Sequence, residues 1–144
     1  MDKDPLDVDL ALDRLGTALP LQLRSAAAYT IAAASTTGFE YLGLTELLWR
    51  FAQADLDDAR RLTEKIVTLG GSPVDSVRGF GLPSDGPGIV GRLIELEREA
   101  IEALQDTIPA TGHTGDSEAL EHRLEHIIMR KQEQVDTLLR AQRG

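Results

Sequence analysis

DLDDARRLTEKIVTLGGSP, residues Asp55–Pro73, is the stretch from which the rest of the chain can be read. Asp55, Asp58, Leu62, Ile66 and Leu69 recur at steps of three and four, the repeat of one face of an α-helix. Gly70-Gly71 then stops the helix, and Pro73 keeps it from resuming. Toward the N-terminus, Leu44, Leu48 and Phe51 continue the same stripe, which predicts a helix from Glu40 to Leu69. Toward the C-terminus, SPVDSVRGFGLPSDGP over 72–87 is rich in glycine, proline and serine and reads as loop.

The same periodicity predicts three further helices. Val90, Leu93, Glu97, Ile101, Leu104 and Ile108 mark a third helix from Gly88 to Ile108. After a loop over 109–115, Asp116 or Ser117 caps a fourth, running to Arg140 with Leu120, Leu124, Ile127, Lys131, Gln134 and Leu138 on one face. The first helix has Leu15, Leu19, Gln22, Ala26, Tyr29 and Ala33 on its inner face and extends to Thr36. Asp4-Pro5 reads as its N-cap and first helical residue. The stretch to Thr36 reads as one helix or a helix pair: Pro20 is expected to kink or break it, and a break would leave a short N-terminal helical extension over 4–16. Gly38 marks a tight connection to the next helix.

Connection lengths set the topology. Short links make helices one and two, and helices three and four, antiparallel. A helix of about 29 residues spans about 44 Å, and a loop of about 16 residues reaches up to about 53 Å. The 72–87 segment can therefore cross the whole bundle and leave helices two and three parallel. The expected architecture is a single all-α domain over 1–144, a four-helix bundle with one long crossover.

Composition narrows the function classes. The chain has no cysteine, which rules out disulfides, thiolate zinc sites and cysteine nucleophiles. It has 24 acidic and 15 basic residues and a net charge of −9, which argues against nucleic-acid or anionic-lipid partners. No apolar run approaches the roughly 18 residues of a membrane span. The start, Met1-Asp2-Lys3-Asp4-Pro5, lacks the layout of a signal peptide, so a cytoplasmic protein is expected. No Ser–His–Asp constellation is present, and the glycines from Gly79 to Gly88 lack the lysine of a phosphate-binding loop.

The informative residues are polar ones on apolar seams. Gln22, Asp55, Asp58, Glu97, Lys131 and Gln134 fall near the middle of their stripes. Ionised groups in a core are costly unless paired, so these residues point to one buried polar cluster. The other reading is that the stripes rotate as the helices supercoil and the polar groups snorkel to water. His122 and His126, four apart on helix four, form a surface metal candidate, although Leu124, Ile127 and Ile128 claim the buried face there.

The chain resembles the ferritin and bacterioferritin family. LGTALPLQLRSAAAY (Leu15–Tyr29) is similar to the family's first-helix pattern, in which a glutamate precedes a tyrosine by seven residues. DLDDARRLTEKIVTLGGSP resembles the second-helix Glu-x-x-His motif and its Leu-(Gly or Glu)-Gly-x-Pro ending. ELEREAI (Glu95–Ile101) and RKQEQVDTLL (Arg130–Leu139) resemble the third- and fourth-helix motifs. The resemblance implies a di-iron site whose six ligand positions fall on Gln22, Asp55, Asp58, Glu97, Lys131 and Gln134; of these, only Glu97 keeps the family's residue type. Leu56 stands where haem-binding relatives carry methionine, so intersubunit haem is not supported.

The resulting expectation is a ferritin-like bundle without ferroxidase activity or cofactor, serving as a binding, structural or assembly protein. Its alternative is an iron-binding or iron-storage protein with an altered site. A third class is a small-ligand binder that uses the altered core as a pocket. Lys131 is expected to neutralise Asp55, Asp58 and Glu97, with a proton, a water cluster, or Arg24 or Arg61 completing the balance. A homodimer or larger homo-oligomer is expected, with Trp49 and the outer apolar residues of helix one as contacts.

Overall fold

The computed structural model describes residues 3–143; Met1, Asp2 and Gly144 of the expected 1–144 domain lie outside the described residues. Four long helices account for most of the chain: α1 (Val8–Ser35), α2 (Thr45–Thr68), α3 (Gly86–Gln105) and α4 (Gly115–Arg143). Short 3-10 turns at Leu42–Leu44 and Ile108–Ala110 lie in the two tight connections.

The first helix begins later than Asp4-Pro5 suggested. Its N-cap is Asp7, whose Oδ1 accepts from the Leu10 amide at 3.1 Å. The residues before it are drawn away by the α3–α4 connection. The Asp4 carbonyl accepts from the amides of His113 (2.7 Å) and Thr114 (3.2 Å), and the Asp7 amide donates to Ala110 O (2.9 Å). An extended pre-proline residue suits that bridging role.

Pro20 does not divide α1, so there is no separate extension over 4–16. Proline inside a helix costs about 3 kcal/mol, through a lost hydrogen bond and a ring clash with the carbonyl four residues back. Here that carbonyl belongs to Gly16, whose Cα is surrounded by open space on the side-chain side. Leu15 and Leu19 are fully buried beside it. Each contributes roughly 1.5–3 kcal/mol, enough to hold the turn in place.

The second helix closes as read. The Gly71 amide donates to Ile66 O (2.9 Å) and the Gly70 amide to Val67 O (3.0 Å), the paired bonds of a Schellman ending. Gly70 has φ +87°, a left-handed conformation that disfavours a side chain. At Gly71 a Cβ would lie 2.6 Å from Leu12 Cδ2, so a side chain there would require the end of Leu12 to turn aside. The start of α2 falls at Thr45 rather than Glu40, because the 3-10 turn takes up the residues before it. On the far side of the crossover, Asp85 caps α3 by accepting from the Gly88 amide at 2.8 Å. Arg92 Nε pins the crossover to α3 by donating to Gly81 O (3.1 Å). The last helix starts at Gly115, just before the Asp116 or Ser117 expected to cap it.

Two core clusters fix the topology. One joins Leu15 and Leu19 of α1, Leu62 and Ile66 of α2, Leu104 of α3, and Leu120 and Leu124 of α4. The other joins Tyr29 and Ala32, Leu48 and Ala52, Val90 and Leu93, and Val135 and Leu138. The first end therefore gathers the starts of α1 and α4 with the finishes of α2 and α3, and the second end the reverse. Helices α1 and α2 run antiparallel, as do α3 and α4, while α2 and α3 run parallel across the diagonal. The 71–85 segment crosses from one end to the other.

Candidate functional site

Between the two apolar clusters lies a polar layer. Gln22 from α1, Asp55 and Asp58 from α2, Glu97 from α3, and Lys131 and Gln134 from α4 are each no more than 2% exposed. The six residues singled out on the seams are therefore all buried at mid-bundle.

Four of them close into a ring. Lys131 Nζ donates to Glu97 Oε1 at 2.6 Å and to Asp55 Oδ2 at 3.2 Å. Gln134 Nε2 donates to Glu97 Oε2 at 2.8 Å and to Asp55 Oδ1 at 3.2 Å. Each carboxylate thus uses both oxygens, and each nitrogen bridges both carboxylates. The geometry follows from spacing: Lys131 and Gln134 stand three apart on one face of α4, so they meet the facing acids of α2 and α3 together. Gln22 joins α1 to the assembly by donating from Nε2 to the Asp55 main-chain carbonyl at 2.9 Å.

Asp58 lies outside the ring. Its Oδ1 accepts from Arg130 Nη2 at 2.6 Å, and Lys131 makes no ion pair with it. The expected charge balance is corrected accordingly. Arg130 neutralises Asp58, while Arg24 pairs outward with Glu99 (2.9 Å) and Arg61 with Asp57 (3.2 Å). Arg130 was not among the residues read as functional, although its place directly before Lys131 puts it beside the same layer. Tyr29 lies on the inner face of α1, as its stripe predicts. It is fully buried and packs edge-on against Phe51 with ring centroids 5.4 Å apart.

Electrostatics follow from burial. With all three ionisable groups of the ring charged, the sum is −1. Burial pushes the Asp55 carboxyl up to about 8, against the pull of the Lys131 ammonium. A proton on Asp55 brings the ring to neutrality. Burial opposes the charge on Lys131, but the Asp55 and Glu97 carboxylates outweigh it and hold the ammonium above its ordinary range. Asp58 is also raised by burial, in spite of Arg130. Burial, then Glu97, then Asp55 hold the Tyr29 phenol well above its usual value.

His122 and His126 are exposed on α4. Among the described residues, no three or more His, Cys, Asp or Glu side chains converge as a group that could hold a metal ion.

Four helices joined by one long crossover, with carboxylates meeting at mid-height, define a ferritin-like bundle. The family model of the ferritin-like domain matches residues 12–142, and the chain belongs to that family. No match is found among the curated proteins. Among solved structures, a ferritin-like diiron-carboxylate protein from Bacillus anthracis superposes with a TM-score of 0.87 at 21% identity, covering 94% of this chain and 97% of that one. A dodecameric thioferritin, the bacterioferritin-related protein of Bacteroides fragilis, gives 0.83 at 19% identity over 94% and 86% of the two chains. The bacterioferritin of Rhodobacter capsulatus gives 0.80 at 15% identity over 96% and 84%. These likenesses show the fold.

Proposed function

We propose that this chain is a non-catalytic ferritin-like subunit whose core metal site has been rebuilt as an internal ion-pair ring. The observation that carries this reading is Lys131 Nζ, fully buried and bridging Asp55 and Glu97. A di-iron centre needs carboxylates and imidazoles from all four helices. Here α4 offers an ammonium and an amide nitrogen, α1 offers an amide, and all four ring carboxylate oxygens are engaged by N–H donors. An ammonium has no lone pair to give and repels a divalent ion. This donor set does not fit two iron ions. The ring's role is to join α2, α3 and α4, and the function then lies on the outer surface, in binding or assembly.

The assembly reading is supported by the outer face of α1 and α2, where Ile31, Trp49, Leu56 and Val67 are 44–58% exposed. Leu56 and Leu23 line one open depression on this face, apolar surface of the kind that interfaces cover, and the Bacteroides fragilis protein is described as a dodecamer. We assign this face to contacts between copies of the chain, in a protein of the cytoplasm. Among the described residues, no helix is long and apolar enough to cross a membrane.

The test is elemental analysis of protein purified without chelators, combined with aerobic oxidation of added ferrous iron. Substoichiometric iron and oxidation no faster than in buffer support this reading. Two tightly held irons per chain, or catalysed oxidation, would establish the iron-handling alternative instead.

A further inference from the structure

The groove between the C-terminal half of α2 and the N-terminal half of α4 stands out in an acidic protein because its walls are basic. It encloses about 260 Å³ and is lined by Arg61, Glu64, Lys65 and Thr68 from α2 and by Ala119 and Arg123 from α4. Arg61, Lys65 and Arg123 are all half-buried, in a chain of net charge −9. We infer that this groove binds a small protonated oxyanion of the phosphate class.

Local charge is the first argument. Among the described residues, Lys65 and Arg123 form no ion pair within 4 Å. Glu64 is turned to Arg60 at 2.6 Å, and Asp57 is divided between Arg60 (2.9 Å) and Arg61 (3.2 Å). Asp116 is also close by, and Ala119 borders a neighbouring depression lined by Glu118, Glu121 and Glu125. The Asp116 carboxyl is held low first by the Thr114 hydroxyl and least by Lys65. Half-buried cations facing one another across a groove repel and are partly stripped of water, and a bound anion relieves both penalties.

Shape and chemistry supply the second argument. The volume equals about nine water molecules at roughly 30 Å³ each, enough for a tetrahedral oxyanion with part of its hydration. Ala119 leaves the α4 wall low beside Arg123. Two guanidinium forks and one ammonium are the donors that recognise phosphate oxygens. Thr68 Oγ1 already donates to Glu64 O at 2.8 Å, so toward the groove its oxygen can only accept. Hydrogen phosphate can offer it an O–H, whereas sulfate cannot at neutral pH.

The test is calorimetric titration of the full chain with inorganic phosphate, sulfate and adenosine monophosphate, with ionic strength fixed by sodium chloride. Saturable phosphate binding is expected, with sulfate at least fivefold weaker. Affinity should fall about tenfold in both Arg123→Gln and Lys65→Gln and stay unchanged in Arg98→Gln, an exposed arginine elsewhere on α3. Thr68→Val should narrow the preference for phosphate over sulfate while leaving the charges in place. Phosphate should also bind more tightly than the nucleotide, whose phosphate is mostly a dianion without an O–H at neutral pH; the reverse would overturn the protonated-oxyanion assignment. A response that does not saturate, or phosphate affinity unchanged in both Arg123→Gln and Lys65→Gln, would overturn the proposal.

Discussion

Lys131 on α4 and Glu97 on α3 meet at 2.6 Å inside the bundle, with Lys131 wholly shielded from solvent. The contact joins two helices at the height where the apolar packing is interrupted, and Asp55 brings a third helix to the same ammonium. The cost of burying these charges is offset only while all partners are present.

Lys131→Met should therefore destabilise the fold by roughly 3–5 kcal/mol at neutral pH, the usual cost of leaving buried partners unpaired. Urea denaturation measures it. The loss should shrink as pH falls, because the stranded acids can then take up protons. An equal loss at pH 5 and pH 8 would contradict this account.

Asp55 dictates an unusual pH dependence. Burial raises its folded-state carboxyl to about 8, far above the ordinary carboxyl range, so the native state binds the extra proton. Stability from this group is present at low pH and is lost as pH rises toward and through about 8. Lys131 is also raised, so its own contribution persists until pH exceeds the ordinary lysine range. Denaturation midpoints should fall between about pH 5 and pH 9 by at least the equivalent of about 1 kcal/mol. Asp55→Asn should flatten that slope, and an Asp55→Asn slope equal to the wild type would show that the proton sits elsewhere.

Restoring ligand types should restore metal affinity. Gln22→Glu, Asp58→His, Lys131→Glu and Gln134→His together place carboxylates or imidazoles on all four helices. Ferrous binding, followed by elemental analysis after gel filtration, should rise from substoichiometric to about two ions per chain, the nuclearity of a di-iron site. Lys131→Glu alone should not suffice, since α4 would still present the Gln134 amide.

Assembly through α1 and α2 can be tested at Leu56, which is 58% exposed on α2. Leu56→Arg should lower the mass measured by light scattering at high protein concentration and leave helical content intact. An unchanged mass would move the interface to another face.

The sequence by itself determined the helices, the crossover and the polar layer. Seam spacing depends only on the 3.6-residue repeat, so Gln22, Asp55, Glu97, Lys131 and Gln134 could be placed inside before any contact was known. The Gly70-Gly71 stop was legible because its bonds are local. Tertiary structure decided what local rules cannot. Asp4-Pro5 does not start α1, because amides at His113 and Thr114 claim the Asp4 carbonyl from a distant connection. Pro20 stays inside a continuous helix because its neighbours are buried by other helices. The partner of each acid was also open until the helices met: Arg130 reaches Asp58 and Lys131 reaches Asp55 and Glu97. Adjacent residues on one helix point about 100° apart, so which cation faces which carboxylate depends on how α4 is rotated against α2 and α3, and packing sets that rotation.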